Sequence, residues 1–258
     1  MKPDLISSNP RHLDYPLFRL RLPEWEQYFN KVYIALTEGL EPDISSFLLN
    51  CPEYKNVKWV RPPKGDGRED WRNLAVRDML LNFSISSYVI FFEQDFLVKD
   101  NSFWDKVFKA IEFYDLIIYK EVDRIHPSFA LVRKQDIMQT RIDFSAYPPY
   151  DHFGRFFEDL TLVVPKHATI ELKEIGLVEG KDYYHMAGLS NNYWVHQLKQ
   201  PFFRPEIFLV YNYYCQRLPI QQSPQFMSLM KEIEEEHGKG DIDSFIKDFF
   251  PMGEQLMA

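Results

Sequence analysis

Cysteine and glycine are scarce in this 258-residue chain, which has two and ten of them respectively, and it has no long apolar run. Cys51 and Cys215 lack the spacing of a metal site, which favours a reducing compartment. A membrane span needs ~18 apolar residues, and neither such a run nor a secretory signal peptide is found. The sequence therefore predicts a cytoplasmic protein without a transmembrane segment.

Basic residues are also fewer than acidic ones. The 30 Lys and Arg residues are outnumbered by 38 Asp and Glu, giving a net charge of −8, whereas a nucleic-acid surface typically shows a basic stripe. A hydrophobic content of 45% excludes disorder, and the length suits one substantial core. A change in composition after Pro219 predicts a catalytic domain over residues 1–220 and a helical C-terminal extension over residues 221–258.

The clearest strand in the chain ends in two acids. Five consecutive β-forming residues, Tyr88 to Phe92, predict a strand buried on both faces, which is typical of the middle of a parallel sheet. Ligands of such sheets bind at the carboxyl ends of the strands. Glu93 and Asp95 follow at that end, and the two-residue period of a strand would direct both carboxylates to one side.

Two carboxylates at close range repel each other, so this pair favours a cation beside it. Oxygen ligands of this kind suit Mg²⁺ or Mn²⁺, and Mg²⁺ typically keeps water and substrate phosphates in its coordination shell. The pattern therefore indicates a site for a metal and a diphosphate. The alternative is a strand that runs out into solvent through two acids.

A helix predicted upstream carries an arginine near its apolar side. Asp70 can cap this helix, Leu74 and Met79 belong to its apolar stripe, and Arg77 lies close to that stripe. Arg77 precedes Glu93 by sixteen positions (93 − 77).

This helix and the acidic strand end together resemble the nucleotide-sugar-binding half of GT-A-fold glycosyltransferases. The resemblance is to the family-2-like transferases, which carry a small-Arg-Asn motif on the helix before an acid-x-acid strand end. The matching residues here are Ala75-Val76-Arg77-Asp78, with Asp78 in place of Asn, and Glu93 in place of the commoner first Asp.

The resemblance implies a fold and a reaction. The fold would be α/β, a GT-A-like (Rossmann-like) mostly parallel sheet flanked by helices, which the alternation of predicted strands and helices also favours. The reaction would move a sugar from a nucleotide-diphosphate donor to a hydroxyl acceptor, with Mn²⁺ or Mg²⁺ as cofactor. Asp95 would bind the metal, Glu93 would assist the metal or the ribose, and Arg77 and Gln94 would contact the nucleotide sugar.

Residues 31–39 predict the first strand and the loop after it, which is where the resembling family contacts the base and the ribose. The resemblance thereby assigns Thr37 and Glu38 to the nucleotide sugar.

An inverting transferase needs a carboxylate within hydrogen-bond reach of the acceptor hydroxyl. Asp151, Glu158 and Asp159 are the candidates, and the Glu158-Asp159 pair resembles the family's late Glu-Asp motif, in which the second acid is the base. Asp159 and Asp151 are therefore the predicted catalytic residues. The alternative is an amphipathic helix that buries its phenylalanines while both acids of the pair face water.

His185 lies in an aromatic segment and is a candidate for a further metal or diphosphate ligand, since several GT-A enzymes supply a late histidine. A lone histidine among tyrosines is more often a hydrogen-bonded structural residue.

Two other functions compete with glycosyl transfer. A nucleotidyltransferase uses similar carboxylates and Mg²⁺ on a related sheet, but its glycine-rich loop is missing after the predicted first strand, where only Gly39 is found. A catalytically inert module that binds a nucleotide sugar or glycan is the other alternative, because a fold does not fix a function.

Overall fold

The computed structural model of the protein describes residues 2–7, 15–35, 55–60, 71–93, 96–99, 101–121, 124–145 and 153–185, and the single positions Ser228, Lys231, Glu235 and Lys247. Its strands are β1 (Asp4–Ser7), β2 (Val32–Ala35), β3 (Val57–Val60), β4 (Tyr88–Phe92), β5 (Phe96–Val98), β6 (Leu116–Glu121), β7 (Arg124–Arg133), β8 (Thr169–Glu171) and β9 (Tyr183–His185). Its helices are α1 (Tyr15–Tyr28), α2 (Trp71–Asp78), α3 (Ser102–Ala110), α4 (Lys134–Ile137) and α5 (Gly154–Val163). A π-helical segment, Met79–Phe83, continues α2.

Seven strands form one sheet in the order β3-β2-β1-β4-β7-β6-β8, and β5 pairs with β9 in a second sheet of two strands. The pairs β3-β2, β2-β1, β1-β4 and β6-β8 are parallel, whereas β7 runs antiparallel to both of its neighbours. Helices cover the sheet. The predicted α/β class, with a mostly parallel sheet flanked by helices, is confirmed.

The predicted numbering of the strands is wrong at its start. The first strand is β1, and residues 31–39 contain the second strand, β2. Strand β1 begins and ends with polar residues, Asp4 and Ser7. Its two apolar residues, Leu5 and Ile6, are too short a run to predict a strand from hydrophobic periodicity.

Strand β4 lies in the interior of the sheet, as its apolar run predicts. It pairs with β1 through Val89 to Phe91 on one side and with β7 along its whole length on the other. Alternate side chains enter two separate cores: Phe92 packs with α1 and α3, and Phe91 packs with α2 and α5. The carboxyl end of β4 is thereby fixed from both faces.

The buried carboxylate of Asp4 ties β1 to the segment that leads into β4. Its two oxygens accept hydrogen bonds from the Ser84 hydroxyl at 2.9 Å, the Ile85 and Ser86 backbone at 2.9 and 3.0 Å, the Ser86 hydroxyl at 2.8 Å and the Asn30 amide at 2.9 Å. Burial by itself would raise the pKa of Asp4, but these hydrogen bonds outweigh it and lower the pKa from its ordinary value.

We expect Asp4→Asn to lower the free energy of unfolding by about 1.5–3 kcal/mol at pH 7, because charge-assisted hydrogen bonds are lost and an amide donor faces other donors. A carboxyl whose folded-state pKa is lowered stabilises the protein above its unfolded pKa of about 4, and this contribution disappears as the pH falls through the folded-state value. Urea unfolding at pH 7 and below pH 4 measures this effect. The wild type should lose stability on acidification, and Asp4→Asn should lose less. Glu112→Gln, an exposed change of the same kind, is the control. Equal stability of wild type and Asp4→Asn at pH 7 would contradict this role.

Within the predicted C-terminal extension, the structure describes four positions. Ser228, Lys231, Glu235 and Lys247 are helical and exposed, and Lys231 pairs with Glu235 at 3.5 Å. The predicted boundary at residue 220 lies outside the described residues. Among the helices that the structure describes, none is long and apolar enough to cross a membrane.

Candidate active site

The backbone after β4 turns at the first of the two acids. The Glu93 N–H donates to the Ser128 carbonyl at 3.1 Å, which extends the β4-β7 ladder by one residue, and the Phe96 N–H donates to the Glu93 carbonyl at 3.2 Å. Strand β4 ends at Phe92, and the prediction that Glu93 and Asp95 are directed to one side stays a prediction. Gln94 and Asp95 lie outside the described residues.

The small β5-β9 sheet brings His185 to this turn. Phe96 is opposite His185 in the antiparallel register, and Val98 is opposite Tyr183. Phe96 and Tyr183 stack with their ring centroids 4.9 Å apart, and both are buried in the core beside α3. The register therefore fixes His185 beside the end of β4, although the two are far apart in sequence.

A single hydroxyl joins the acid to the histidine. Oγ of Ser128, on β7, lies 2.9 Å from a carboxylate oxygen of Glu93 and 2.9 Å from Nε2 of His185. Nδ1 of His126 is also 2.9 Å from this oxygen, and the rings of His126 and His185 are 4.3 Å apart. We call Glu93, His126, Ser128 and His185 the serine cluster.

Tyr119 contacts His185 from the other side. The Tyr119 hydroxyl lies 3.5 Å from Nδ1 of His185 and 3.3 Å from each carboxylate oxygen of Glu179. The ring centroids of Tyr119 and His185 are 5.3 Å apart. Both ring nitrogens of His185 thus lie within hydrogen-bond distance of a hydroxyl, and each hydroxyl is also close to a carboxylate.

The structure brings together two of the predicted site residues, Glu93 and His185. Arg77 lies in the last turn of α2 and is half-buried. Thr37, Glu38 and Asp151, like Gln94 and Asp95, fall outside the described residues, so their assignments stay predictions.

Asp159 lies on α5, whose buried side carries Phe156, Phe157 and Leu160. Its carboxylate is 3.9 Å from Arg155 one turn earlier, and its side chain is 30% exposed. The apolar side of the helix is buried as its amphipathic pattern predicts. The contact that the structure gives Asp159 is thus an ion pair within the helix, and its role as a base stays a prediction.

The start of α5 holds an unusual backbone conformation. Phe153 has a positive φ of 68°, which is costly for a bulky residue, and its ring is buried against Phe91 at 5.7 Å. Phe91 is the residue before the last of β4. The left-handed backbone conformation of Phe153 and the contact of its ring with β4 together fix the start of α5 relative to the site.

The donor atoms of the serine cluster suit a divalent ion in type. Glu93 offers a carboxylate and His185 an imidazole, and Mn²⁺ accepts both. The described residues contain no group of three or more His, Cys, Asp or Glu side chains that could hold a metal. Asp95, the predicted main ligand, is not among them. Because Nε2 lies against the Ser128 hydroxyl, His185 would bind an ion through Nδ1.

Three residues beside His185 and Glu93 were not predicted from the sequence: Tyr119, His126 and Ser128. One signal in the sequence points to two of them. His126 and Ser128 are two positions apart in β7, so they share a face of the sheet. Sequence gives no sign that this face meets Glu93, because the register of an antiparallel strand is set by its partner.

No family model and no curated protein matches the chain. Solved structures do match it. The galactosyltransferase LgtC, in complex with donor and acceptor sugar analogs, is 8% identical over 88% of this chain and 99% of that chain, with a TM-score of 0.46. A 4-diphosphocytidyl-2C-methyl-D-erythritol synthase from Anaerococcus prevotii is 12% identical over 54% and 74%, with a TM-score of 0.38. A putative nucleotide-diphospho-sugar transferase from Desulfovibrio desulfuricans is 13% identical over 66% and 80%, with a TM-score of 0.39. Similarity this weak assigns neither a reaction nor a site residue to this chain.

Proposed function

We propose that the protein is a metal-dependent glycosyltransferase that moves a sugar from a nucleotide-diphosphate donor to a hydroxyl acceptor. The observation that supports this most is the contact of Glu93 and His185 with one hydroxyl at the carboxyl end of β4, which is where ligands bind in sheets of this kind. The sequence pattern and the family resemblance predict both residues for the same site.

Mn²⁺ or Mg²⁺, held by Asp95 and Glu93 with His185, would neutralise the charge that develops on the departing diphosphate. The chain itself would bind and orient the donor. Arg77, Thr37, Glu38 and Gln94 would contact the nucleotide sugar, and Glu93 would divide its carboxylate between the metal or ribose and the Ser128 hydroxyl.

The corrected strand order bears on the main rival, a nucleotidyltransferase. The loop expected to hold phosphates in that class follows the first strand, which is β1 and not β2. Residues 8–14, which follow β1, contain no glycine at all. Glycine is the residue that lets a backbone approach phosphates closely, so its absence disfavours that chemistry.

The test is a thermal-shift screen of the full chain against nucleotide-diphosphate sugars and nucleoside triphosphates, with and without Mn²⁺. A ligand at 100 times its dissociation constant adds about 2.7 kcal/mol of stability, which a melting curve resolves. We expect stabilisation by one class of nucleotide-diphosphate sugar that requires Mn²⁺. Release of pyrophosphate from a triphosphate and a sugar phosphate would show a nucleotidyltransferase instead. Binding without sugar transfer to any hydroxyl, or to water, would identify an inert module.

Arg77→Ala should weaken binding of the donor found in this screen by about 1.5–3 kcal/mol, or roughly 10- to 150-fold, the usual range for a hydrogen bond to a charged group. Calorimetric titration of the donor with Mn²⁺ present measures the effect. Arg141→Ala is the matched control, because Arg141 is exposed and pairs with the nearby Asp143 at 3.3 Å. Unchanged donor affinity combined with a large drop in melting temperature would make Arg77 a structural residue.

A further inference from the structure

Ser128 is completely buried, yet its side chain contacts three polar groups of the candidate site. A buried serine in the middle of a strand ordinarily forms a hydrogen bond with nearby backbone. Here the hydroxyl lies 2.9 Å from each of Glu93, His126 and His185, which come from three different strands or strand ends.

Valence fixes how the hydroxyl divides its hydrogen bonds. Ser128 has one proton to donate, and an ionised carboxylate only accepts, so the hydroxyl donates to Glu93. Toward His185 the Ser128 oxygen then acts as an acceptor, so Nε2 of His185 carries a hydrogen in this arrangement. Nδ1 of His126 accepts from the Ser128 backbone N–H at 3.3 Å. The orientation of the carboxylate and that of the imidazole are therefore linked through one atom.

The other nitrogen of His185 is held less tightly. Its distance of 3.5 Å from the Tyr119 hydroxyl is long for a hydrogen bond, whereas the Ser128 contact has ordinary length. Ser128 is thus the stronger of the two contacts that orient the ring.

We propose that Ser128 is a positioning residue: its buried hydroxyl holds the Glu93 carboxylate and the His185 imidazole in the one relative orientation from which both act on the donor diphosphate and its metal. The last part of this statement rests on the proposed function, but the linkage of the two side chains does not.

The test uses Ser128→Ala with two readouts. Mn²⁺ alone is titrated and its free concentration followed by electron paramagnetic resonance, and the His185 tautomer is read in the metal-free protein from long-range ¹H–¹⁵N NMR spectra. We expect a 10- to 100-fold weaker Mn²⁺ affinity, the range typical of residues that orient metal ligands. We also expect Nε2–H to dominate in the wild type and to lose its preference in the variant. Tyr119→Phe should give a smaller loss of affinity.

Ser84→Ala is the matched control, because Ser84 is also buried and its hydroxyl donates to a carboxylate, Asp4, at the same 2.9 Å. It should lower the melting temperature without changing Mn²⁺ affinity or the His185 tautomer. Ser128→Thr restores a hydroxyl and should recover both readouts.

An unchanged tautomer in Ser128→Ala overturns the proposal, and so does an unchanged Mn²⁺ affinity. If the wild type binds neither Mn²⁺ nor any nucleotide sugar, the proposed function fails, and the tautomer decides the linkage by itself. The two failures are therefore distinguishable.

Discussion

Asp95→Asn is expected to weaken Mn²⁺-dependent donor binding by at least about 100-fold, since residues that only orient a metal ligand already contribute 10- to 100-fold. The amide keeps the size of the side chain but removes the charge that attracts the cation. The fold should be unaffected, because β4 and β5 are held by Glu93 and Phe96 through their backbone atoms and by the core on both faces. Calorimetric titration of donor with and without Mn²⁺ measures the change.

Asp105→Asn provides the comparison for this variant, because it makes the same change at an exposed position in the first turn of α3. It should bind donor and Mn²⁺ like the wild type. Retention of Mn²⁺-dependent binding by Asp95→Asn would show that the metal is held elsewhere, and the two acids would then be the solvated strand end that the sequence also allows.

Asp159→Asn should lower turnover by about 10²- to 10⁴-fold with donor affinity nearly unchanged, if Asp159 takes the proton of the acceptor hydroxyl. In the structure Asp159 pairs with Arg155, and an acceptor would have to draw the carboxylate out of that pair. Single-turnover transfer rates, measured with the donor and acceptor found by screening, test this role.

Asp151→Asn is the partner experiment, because Asp151 precedes α5 and is the other predicted base. A loss of turnover confined to Asp151→Asn would move the base to that residue. Arg155→Ala separates the two roles of Asp159, since it removes the ion pair and leaves the carboxylate. If Asp159 is only a structural partner of Arg155, both α5 variants should lose a little stability and no turnover.

The parts of the fold that were predicted from the sequence are those with a strong local pattern. The run from Tyr88 to Phe92 is apolar at every position, which only an interior strand can bury, and β4 has that place. Helix α2 begins at Trp71, directly after the predicted cap at Asp70. Strand β1 was missed because its stability comes from pairing with β2 and β4 and from the Asp4 hydrogen bonds, and none of these is local in sequence.

The site was predictable in part for the same reason. Glu93 follows directly from the strand end, and His185 was selected for its residue type. Ser128 carries no signal by itself, since a serine in a strand is ordinary. Only the register of β7 against β4 places its hydroxyl between Glu93 and His185. The buried pair of Arg21 and Glu24 was also missed, because helix periodicity assigns charged residues to the solvent side, whereas Glu24 here accepts a hydrogen bond from the Trp104 indole.

The late position of β7 in the chain has a consequence for biosynthesis. Strand β4 is complete at Phe92, and its partner on the open side, β7, is complete only at Arg133, 41 residues later (133 − 92). At a synthesis rate of 5–20 residues per second, this leaves the hydrophobic edge of β4 without its neighbour for roughly 2–8 s on the ribosome. An unpaired edge next to Phe91 and Phe92 is a template for association with other chains. The nascent protein therefore has this edge unpaired from the synthesis of Glu93 until β7, which carries Ser128, is complete.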